Sequence, residues 1–276
     1  MDTHIKEVPF HELPITDNFM FAQVMRQEEI CKLFLEALLQ KKISRIEYSD
    51  KEKDISDEYA AHGVRLDVYL EDENNSVYNI EMQATNPQTF GAKYRYDLEQ
   101  RIRYYQSNLD RHTLDKGVAY SELGDSYVIF VCDFDYFSKG LAVYEKYSGI
   151  KNTEVAYEDG SHVFVLNAVY TYGNAAQPIL EFLDFVHSND MAQSFESELM
   201  QKVCPAIKKV RTSPERKVAY MTWKMSQEDA KREGMEIGER KNQMATVKRL
   251  RNRFSDEEII DMTGYPQEVV YGTPRN

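Results

Sequence analysis

The sequence predicts an α/β fold, in which helices cover a β-sheet, followed by a helical C-terminal region. Residues 64–83 show the period-two alternation of two strands around a turn, and "SYVIFVC" at 126–132 has the composition of a fully buried strand. Helix-like apolar spacing precedes and follows the hairpin. From residue 17 to 133 the order is therefore α-β-β-β-α-β, and beyond Gln177 the pattern becomes mainly helical.

Local signals justify the individual elements. Thr16 or Asp17 can cap a helix that extends to about residue 39. A short strand is expected at 43–48, and "GAKYRYDLEQRIRYYQSNLDRH" at 91–112 has helical spacing. Further strands are expected at 141–147 and on either side of the turn signal "EDG" at 158–160.

Composition excludes several classes of protein. The chain has 276 residues, 42% of them hydrophobic, and can bury a sizeable core. It has no run near the roughly 18 apolar residues of a membrane helix, and its first residues lack the pattern of a signal peptide. Cys31, Cys132 and Cys204 show no metal-ligand or disulfide spacing. We therefore expect a cytoplasmic protein with reduced thiols and no membrane contact.

Charge is distributed unevenly along the chain. Residues 1–201 carry 18 Lys and Arg against 35 Asp and Glu, whereas residues 202–253 carry 15 against 6. The net charge of −12 therefore conceals a basic segment behind an acidic body. We expect an α/β domain at 1–200 and a basic helical region at 201–276. The basic region either contacts DNA, mediates self-association or is a solvated helix surface.

The hairpin raises a question of electrostatics. Folded symmetrically about Asn74, it places Asp67 opposite Glu81, and directly opposed like charges destabilise a sheet. The same alternation places Gln83 on the face of both carboxylates. A divalent cation would offset the repulsion, since Mg²⁺ commonly takes one or two protein carboxylates together with water and phosphate oxygens. From the spacing alone, a solvent-exposed pair, a slipped register or pairing with Arg65 explains the pattern at least as well.

Four motifs in fixed order carry a resemblance to a known family: "TDNFMF", "GVRLDVYL", "YNIEMQ" and "RIRYYQSNL". With the order α-β-β-β-α-β, they make residues 16–168 similar to the PD-(D/E)XK nuclease core, and more narrowly to the recombination-promoting nuclease/transposase (Rpn) family. The resemblance implies a mixed sheet flanked by helices and a metal-dependent DNA endonuclease, associated with recombination, mobile elements or, in some relatives, phage defence. It assigns Asp67 and Glu81 as ligands of Mg²⁺ or Mn²⁺.

Two positions depart from the family motif. Val64, Arg65 and Leu66 stand where a proline usually precedes the motif aspartate, and Gln83 occupies the position of the motif lysine. Lysine can hold the attacking water and stabilise developing negative charge, whereas glutamine can position the water but carries no charge. Gln recurs here in the Rpn-like pattern, so charge stabilisation is expected to pass to the metal or to another cation. A structural Gln83 is the alternative.

The helix after Gln83 offers such a cation. Arg101 is the leading candidate, because a guanidinium can contact a phosphate through two parallel hydrogen bonds. Either Gln100 with Tyr104, or Arg101 with Tyr105, is expected to orient substrate or water. A polar helix face with one tyrosine packed on the sheet is the alternative. The residues spaced three or four apart are Lys93, Asp97, Gln100, Arg101 and Tyr104.

Other acidic residues have simpler interpretations. Asp17 is a possible third metal ligand or supporting residue, but its place before "NFMF" favours a helix cap. Asp133 and Asp135 form a DxD pattern, which is unspecific, and we expect them to end a strand and bond into the following turn.

The C-terminal region suggests packing or self-association. Gly234 and Gly238 are four residues apart, a spacing that permits close approach of another helix, so a homodimer or higher oligomer is expected. "FSDEEIIDMTGYPQEVV" predicts a capped helix at 255–262, a turn at Gly264 and a second short helix. We favour a helical hairpin over a DNA-reading helix-turn-helix.

Three hypotheses about function follow. The leading one is a Mg²⁺-dependent DNA endonuclease. The second is a catalytically weak or inactive DNA-binding, transposon-associated protein on the same fold. The third, a helix-mediated interaction protein, leaves the acidic hairpin unexplained.

Overall fold

The computed structural model describes residues 8–48, 67–84, 97–113 and 119–274. Within these ranges a six-stranded mixed sheet is flanked by helices and followed by a helical C-terminal region, which confirms the predicted fold class. The strands are β1 (Ile46–Tyr48), β2 (Val68–Asp72), β3 (Val77–Gln83), β4 (Ser126–Cys132), β5 (Val143–Glu145) and β6 (Ser161–Asn167). The helices are α1 (Asn18–Met25), α2 (Glu28–Leu39), α3 (Asp97–Thr113), α4 (Gln177–Ser188), α5 (Glu198–Thr212), α6 (Pro214–Leu250), α7 (Asp256–Thr263) and α8 (Gln267–Gly272).

The strand order of the sheet is β1-β2-β3-β4-β6-β5. The pairs β1–β2, β2–β3 and β5–β6 are antiparallel, whereas β3–β4 and β4–β6 are parallel. β3 and β4 therefore lie at the centre, where both faces of a strand are covered. The sequence predicts a half-buried β3, but six of its seven residues are buried, so both faces of this strand are covered.

Helix α3 packs on the sheet face that carries Glu81. Leu98, Ile102 and Leu109 of α3 lie in one apolar cluster with Val128 and Phe130 of β4. Four other helices of the first 214 residues pack against one another: α1, α2, α4 and α5. The phase of α3 over the sheet consequently decides which of its polar residues reach β3.

The N-terminal helix of the sequence prediction is two helices. Asp17 caps α1 by accepting a hydrogen bond from the Met20 backbone N–H at 3.1 Å, which confirms the predicted cap. α1 ends at Met25, with Arg26 as its C-cap, and the extended conformation of Gln27, with ψ 115°, separates it from α2. No helix-breaking residue marks this turn in the sequence.

The strand predicted after the turn signal at 158–160 is confirmed as β6, but the strand predicted before it is absent from the described residues, so the predicted hairpin is wrong. Gly160 has φ +74° and directly precedes β6, but the described residues before it form only an isolated bridge between Gly149 and Ala156. β5 is the edge strand beside β6 instead, and the turn signal lies at the end of the long connection from β5 to β6.

The chain divides into two compact units, Met1–Pro214 and Glu215–Asn276. The division lies after α5, whereas the sequence analysis places it at residue 200, inside that helix. In the second unit, Val247, Ile259 and Val270 form a small core, and α7 carries a capping box between Ser255 and Glu258. None of the helices in the described ranges is both long and apolar enough to cross a membrane.

Candidate active site

The β2–β3 register sets Asp67 against Glu81. Val68 pairs with Ile80 in the antiparallel ladder, and Asp67 is the next residue outward, immediately before β2. Two cross-strand hydrogen bonds confirm the predicted opposition. The Asp67 backbone N–H donates to Oε1 of Glu81 at 3.1 Å, and the Met82 backbone N–H donates to Oδ2 of Asp67 at 3.1 Å.

These two bonds hold both carboxylates in place. One oxygen of each carboxylate is held by a main-chain N–H of the other strand, so neither side chain can turn outward without losing a charge-assisted hydrogen bond. Nη2 of Arg26 donates to the Asp67 carbonyl oxygen at 3.0 Å and fixes the backbone at this point. The like charges are thus brought together by the fold.

Burial makes this arrangement electrostatically costly. Glu81 is only 4% exposed. Burial, and then the charge of Asp67, raise the pKa of Glu81 from 4.5 to about 8, against the opposing effects of the Asp67 N–H, Asn79 and Arg101. A buried carboxyl with a raised pKa beside a second carboxylate is typical of functional sites.

Gln83 meets Arg101 at the end of β3. Nη1 of Arg101 donates to Oε1 of Gln83 at 2.6 Å, and Nη2 donates to the Tyr105 hydroxyl at 3.2 Å. The guanidinium also lies over the rings of Tyr105 and Phe130, at 5.6 and 5.2 Å from their centroids. Arginine is only a donor, so the contact fixes the Gln83 amide with its oxygen toward Arg101.

The structure distinguishes between the two predicted pairs on α3. Arg101 and Tyr105 lie on the side of the sheet, and burial raises the pKa of the Tyr105 hydroxyl. Gln100 is exposed, as is Tyr104 at 40%, so their supporting role stays a prediction. Lys93 lies outside the described residues.

Two residues near the carboxylates were missed by the sequence analysis. Arg26 reaches Asp67 across 41 positions of sequence, and no local signal announces this contact. Asn79 is fully buried, two residues before Glu81 on the same face of β3. The period-two alternation that selects Glu81 and Gln83 also selects Asn79, so this residue was predictable.

The remaining acidic candidates have structural partners. The Asp17 carboxylate is engaged at the cap of α1, so we leave it out of the proposed metal ligands. Asp135 accepts hydrogen bonds from the Ser138 and Gly140 backbone N–H groups, as expected for a turn. Asp133, just after β4, pairs with Nδ1 of His187 at 3.1 Å.

The donor set suits a hard divalent cation. The part of the chain that the structure describes contains no group of three or more His, Cys, Asp or Glu residues able to hold a metal. Two carboxylates are nevertheless sufficient for Mg²⁺, which keeps several waters and takes phosphate oxygens from its substrate. Asp67 and Glu81 fit that chemistry, because they supply two carboxylates at opposed positions of the hairpin.

Comparison with known proteins gives one match. The model of a protein family described as "PD-(D/E)XK nuclease family transposase" matches residues 18–234, which include the hairpin, α3 and much of α6. Neither the curated proteins nor the solved structures include one that matches this chain.

The raised pKa of Glu81 predicts a pH dependence of stability. The folded state holds the Glu81 proton more tightly than the unfolded state, so this group's stabilising contribution is complete below pH 4.5 and is lost as pH rises through about 8. Glu81→Gln cannot lose a proton. Relative to the wild type with chelator present, its free energy of unfolding should increase over this window by an amount on the order of a few kcal/mol.

Urea unfolding at several pH values measures this difference. Glu71→Gln is the matched control, because it removes another half-buried carboxyl of β2 outside the Asp67–Glu81 pair. In the control, the free energy of unfolding should decline with rising pH as it does in the wild type. A Glu81→Gln curve that runs parallel to the wild type would refute the assignment.

Proposed function

Because the chain belongs to the PD-(D/E)XK nuclease family of transposases, we propose that it is a metal-dependent DNA endonuclease that hydrolyses phosphodiester bonds. The observation that supports this most strongly is the pair of a half-buried Asp67 and a buried Glu81, each held by a main-chain N–H of the opposite strand. A bound cation would offset the repulsion between two carboxylates placed in this way, whereas a purely structural role gives no reason for the pairing.

Asp67 and Glu81 are the residues that would hold Mg²⁺ or Mn²⁺. When bound, such an ion polarises the phosphodiester and lowers the pKa of a coordinated water. The protein's own contribution is to preorganise both carboxylates, so that little rearrangement accompanies binding.

Gln83 and Arg101 together take the place of the motif lysine. The NH₂ group of Gln83 can donate a hydrogen bond to the attacking water, since its carbonyl oxygen is held by Arg101. Arg101 supplies the positive charge that Gln83 lacks, next to the site where negative charge develops. The two roles of the motif lysine are thereby divided: Gln83 on β3 positions the water, and Arg101 on α3 carries the positive charge.

The first prediction concerns the two proposed ligands. Asp67→Asn and Glu81→Gln each remove an anionic ligand with little change in volume, so cleavage of supercoiled plasmid with Mg²⁺ or Mn²⁺ should fall by on the order of 100-fold or more. Glu71→Gln serves again as the control and should cleave like the wild type. Wild-type rates in both ligand variants would reject the assignment. Failure of the wild type to cleave any DNA tested would instead favour an inactive DNA-binding protein on this fold.

The second prediction concerns the contact between Gln83 and Arg101. Gln83→Ala should reduce single-turnover cleavage by on the order of 100-fold with a smaller effect on DNA affinity, because it disturbs the reacting geometry. Gln83→Lys places a second cation beside Arg101, and the repulsion between them should also slow cleavage. Adding Arg101→Gln to Gln83→Lys should recover part of the rate, because one cation and one amide are restored in exchanged positions.

Two outcomes would contradict this division of roles. An alanine variant with wild-type chemistry would make Gln83 a structural strand residue. A double variant slower than Gln83→Lys alone would show that Arg101 acts independently of Gln83.

The third prediction concerns DNA binding by α6. Lys217, Lys224 and Lys231 recur every seven residues on this helix of 37 residues, in which only Val247 is buried among the described side chains. We propose that this basic face contacts DNA phosphates. The triple Lys→Gln variant should bind DNA more weakly, and the slope of log affinity against log salt should become shallower by about 0.9 for each lost phosphate contact.

The matched control removes acidic residues of the same helix, Glu228, Glu233 and Glu236, by substitution with Gln. This control should not weaken binding. An unchanged salt slope in the lysine variant would exclude the DNA contact. A loss of dimer mass in light scattering would instead assign α6 to self-association.

A further inference from the structure

Asn79 is a buried polar residue that the proposed chemistry does not yet use. It lies in the centre of β3, paired with Tyr69 of β2 and with Val128 of β4, and its side chain is 0% exposed. Neither Oδ1 nor Nδ2 of its amide makes a well-formed hydrogen bond to another described residue. A buried amide with both groups unsatisfied destabilises a fold, so it calls for an explanation.

A second buried asparagine shows what a structural role looks like. Asn167, at the end of β6, is also 0% exposed. Its Nδ2 donates to the Leu141 carbonyl oxygen at 2.9 Å, and its Oδ1 accepts from the Val169 backbone N–H at 2.9 Å. Both amide groups of Asn167 are thus hydrogen-bonded to neighbouring main chain. The amide of Asn79 makes no such bond to the main chain of the described residues.

The position of Asn79 points to Glu81. The two side chains project from the same face of β3, two residues apart, and both are buried beneath α3. The Asn79 side chain acts on Glu81 as a hydrogen-bonding neighbour and lowers the pKa of that carboxyl.

We propose that Asn79 is a positioning residue of the Asp67–Glu81 site, whose side-chain amide orients the Glu81 carboxylate toward a divalent cation. This inference rests on the proposed function. The Asp67 N–H already holds Oε1 of Glu81, and a second donor from Asn79 fixes the plane of the carboxylate. Groups that orient metal ligands in this way affect metal affinity or activity by roughly 10- to 100-fold.

The experiment uses full-length protein and Mn²⁺ alone as the probe. Titration calorimetry gives the Mn²⁺ affinity of the wild type, Asn79→Leu, Asn79→Ala, Asn167→Leu and Glu81→Gln, and thermal unfolding with chelator gives their stability. Leucine branches at Cγ as asparagine does, but it has no amide. Asn79→Leu should therefore keep or raise the Tm but bind Mn²⁺ at least about 10-fold more weakly. The electron paramagnetic resonance spectrum of the bound ion should change as well.

Asn167→Leu is the matched control. It removes an equally buried amide whose hydrogen bonds are satisfied, so it should lower the Tm and leave the Mn²⁺ affinity unchanged. If Asn79→Leu does not fold, Asn79→Ala removes the same amide without adding branches to the side chain and gives the same comparison.

The outcomes separate this inference from the proposed function. Wild-type Mn²⁺ affinity in Asn79→Leu or Asn79→Ala, with affinity lost in Glu81→Gln, overturns the role of Asn79 alone. Failure of the wild type to bind Mn²⁺, or undiminished binding by Glu81→Gln, overturns the metal site and this inference with it. Weaker binding in both Asn79 variants, without loss of stability, supports the positioning role.

Discussion

The register of the β2–β3 hairpin is the constraint on which the site depends. Asp72 sets this register at the turn: its Oδ1 accepts from the Asn74 and Ser76 backbone N–H groups, and its Oδ2 accepts from the Tyr78 hydroxyl at 2.6 Å. A slip of one residue would move every side chain of a strand to the opposite face. The turn network therefore determines, from the far end of the hairpin, that one carboxylate faces the other.

The site combines two carboxylates that repel each other with a cation that belongs to a neighbouring helix. β3 provides Glu81 and Gln83, but the positive charge comes from Arg101 of α3, which is held over the sheet by the packing of Leu98 and Ile102. The position of this charge thus depends on the phase of α3 as much as on the strand motif. Under the proposed function, this division would keep a cation beside the reacting groups although glutamine stands at the lysine position.

Local signals predicted the hairpin well and the tertiary contacts poorly. The turn composition and period-two alternation were sufficient for the opposition of Asp67 and Glu81, because hairpin register is a local property. The break after α1 and the contact of Arg26 with Asp67 were not predicted, because packing between distant segments decides them. Helical spacing selected two candidate pairs on α3, and only the position of α3 over the sheet separates the Arg101 pair from the exposed one.

The most direct test of the account is to locate a bound ion in crystals of the full-length protein soaked with Mn²⁺. Anomalous scattering identifies manganese without assumptions about activity or substrate. We predict a peak bonded to carboxylate oxygens of both Asp67 and Glu81, at roughly the 2.0–2.2 Å expected for a small octahedral cation. A peak held by other residues, with none at Asp67 and Glu81, would contradict the proposed site.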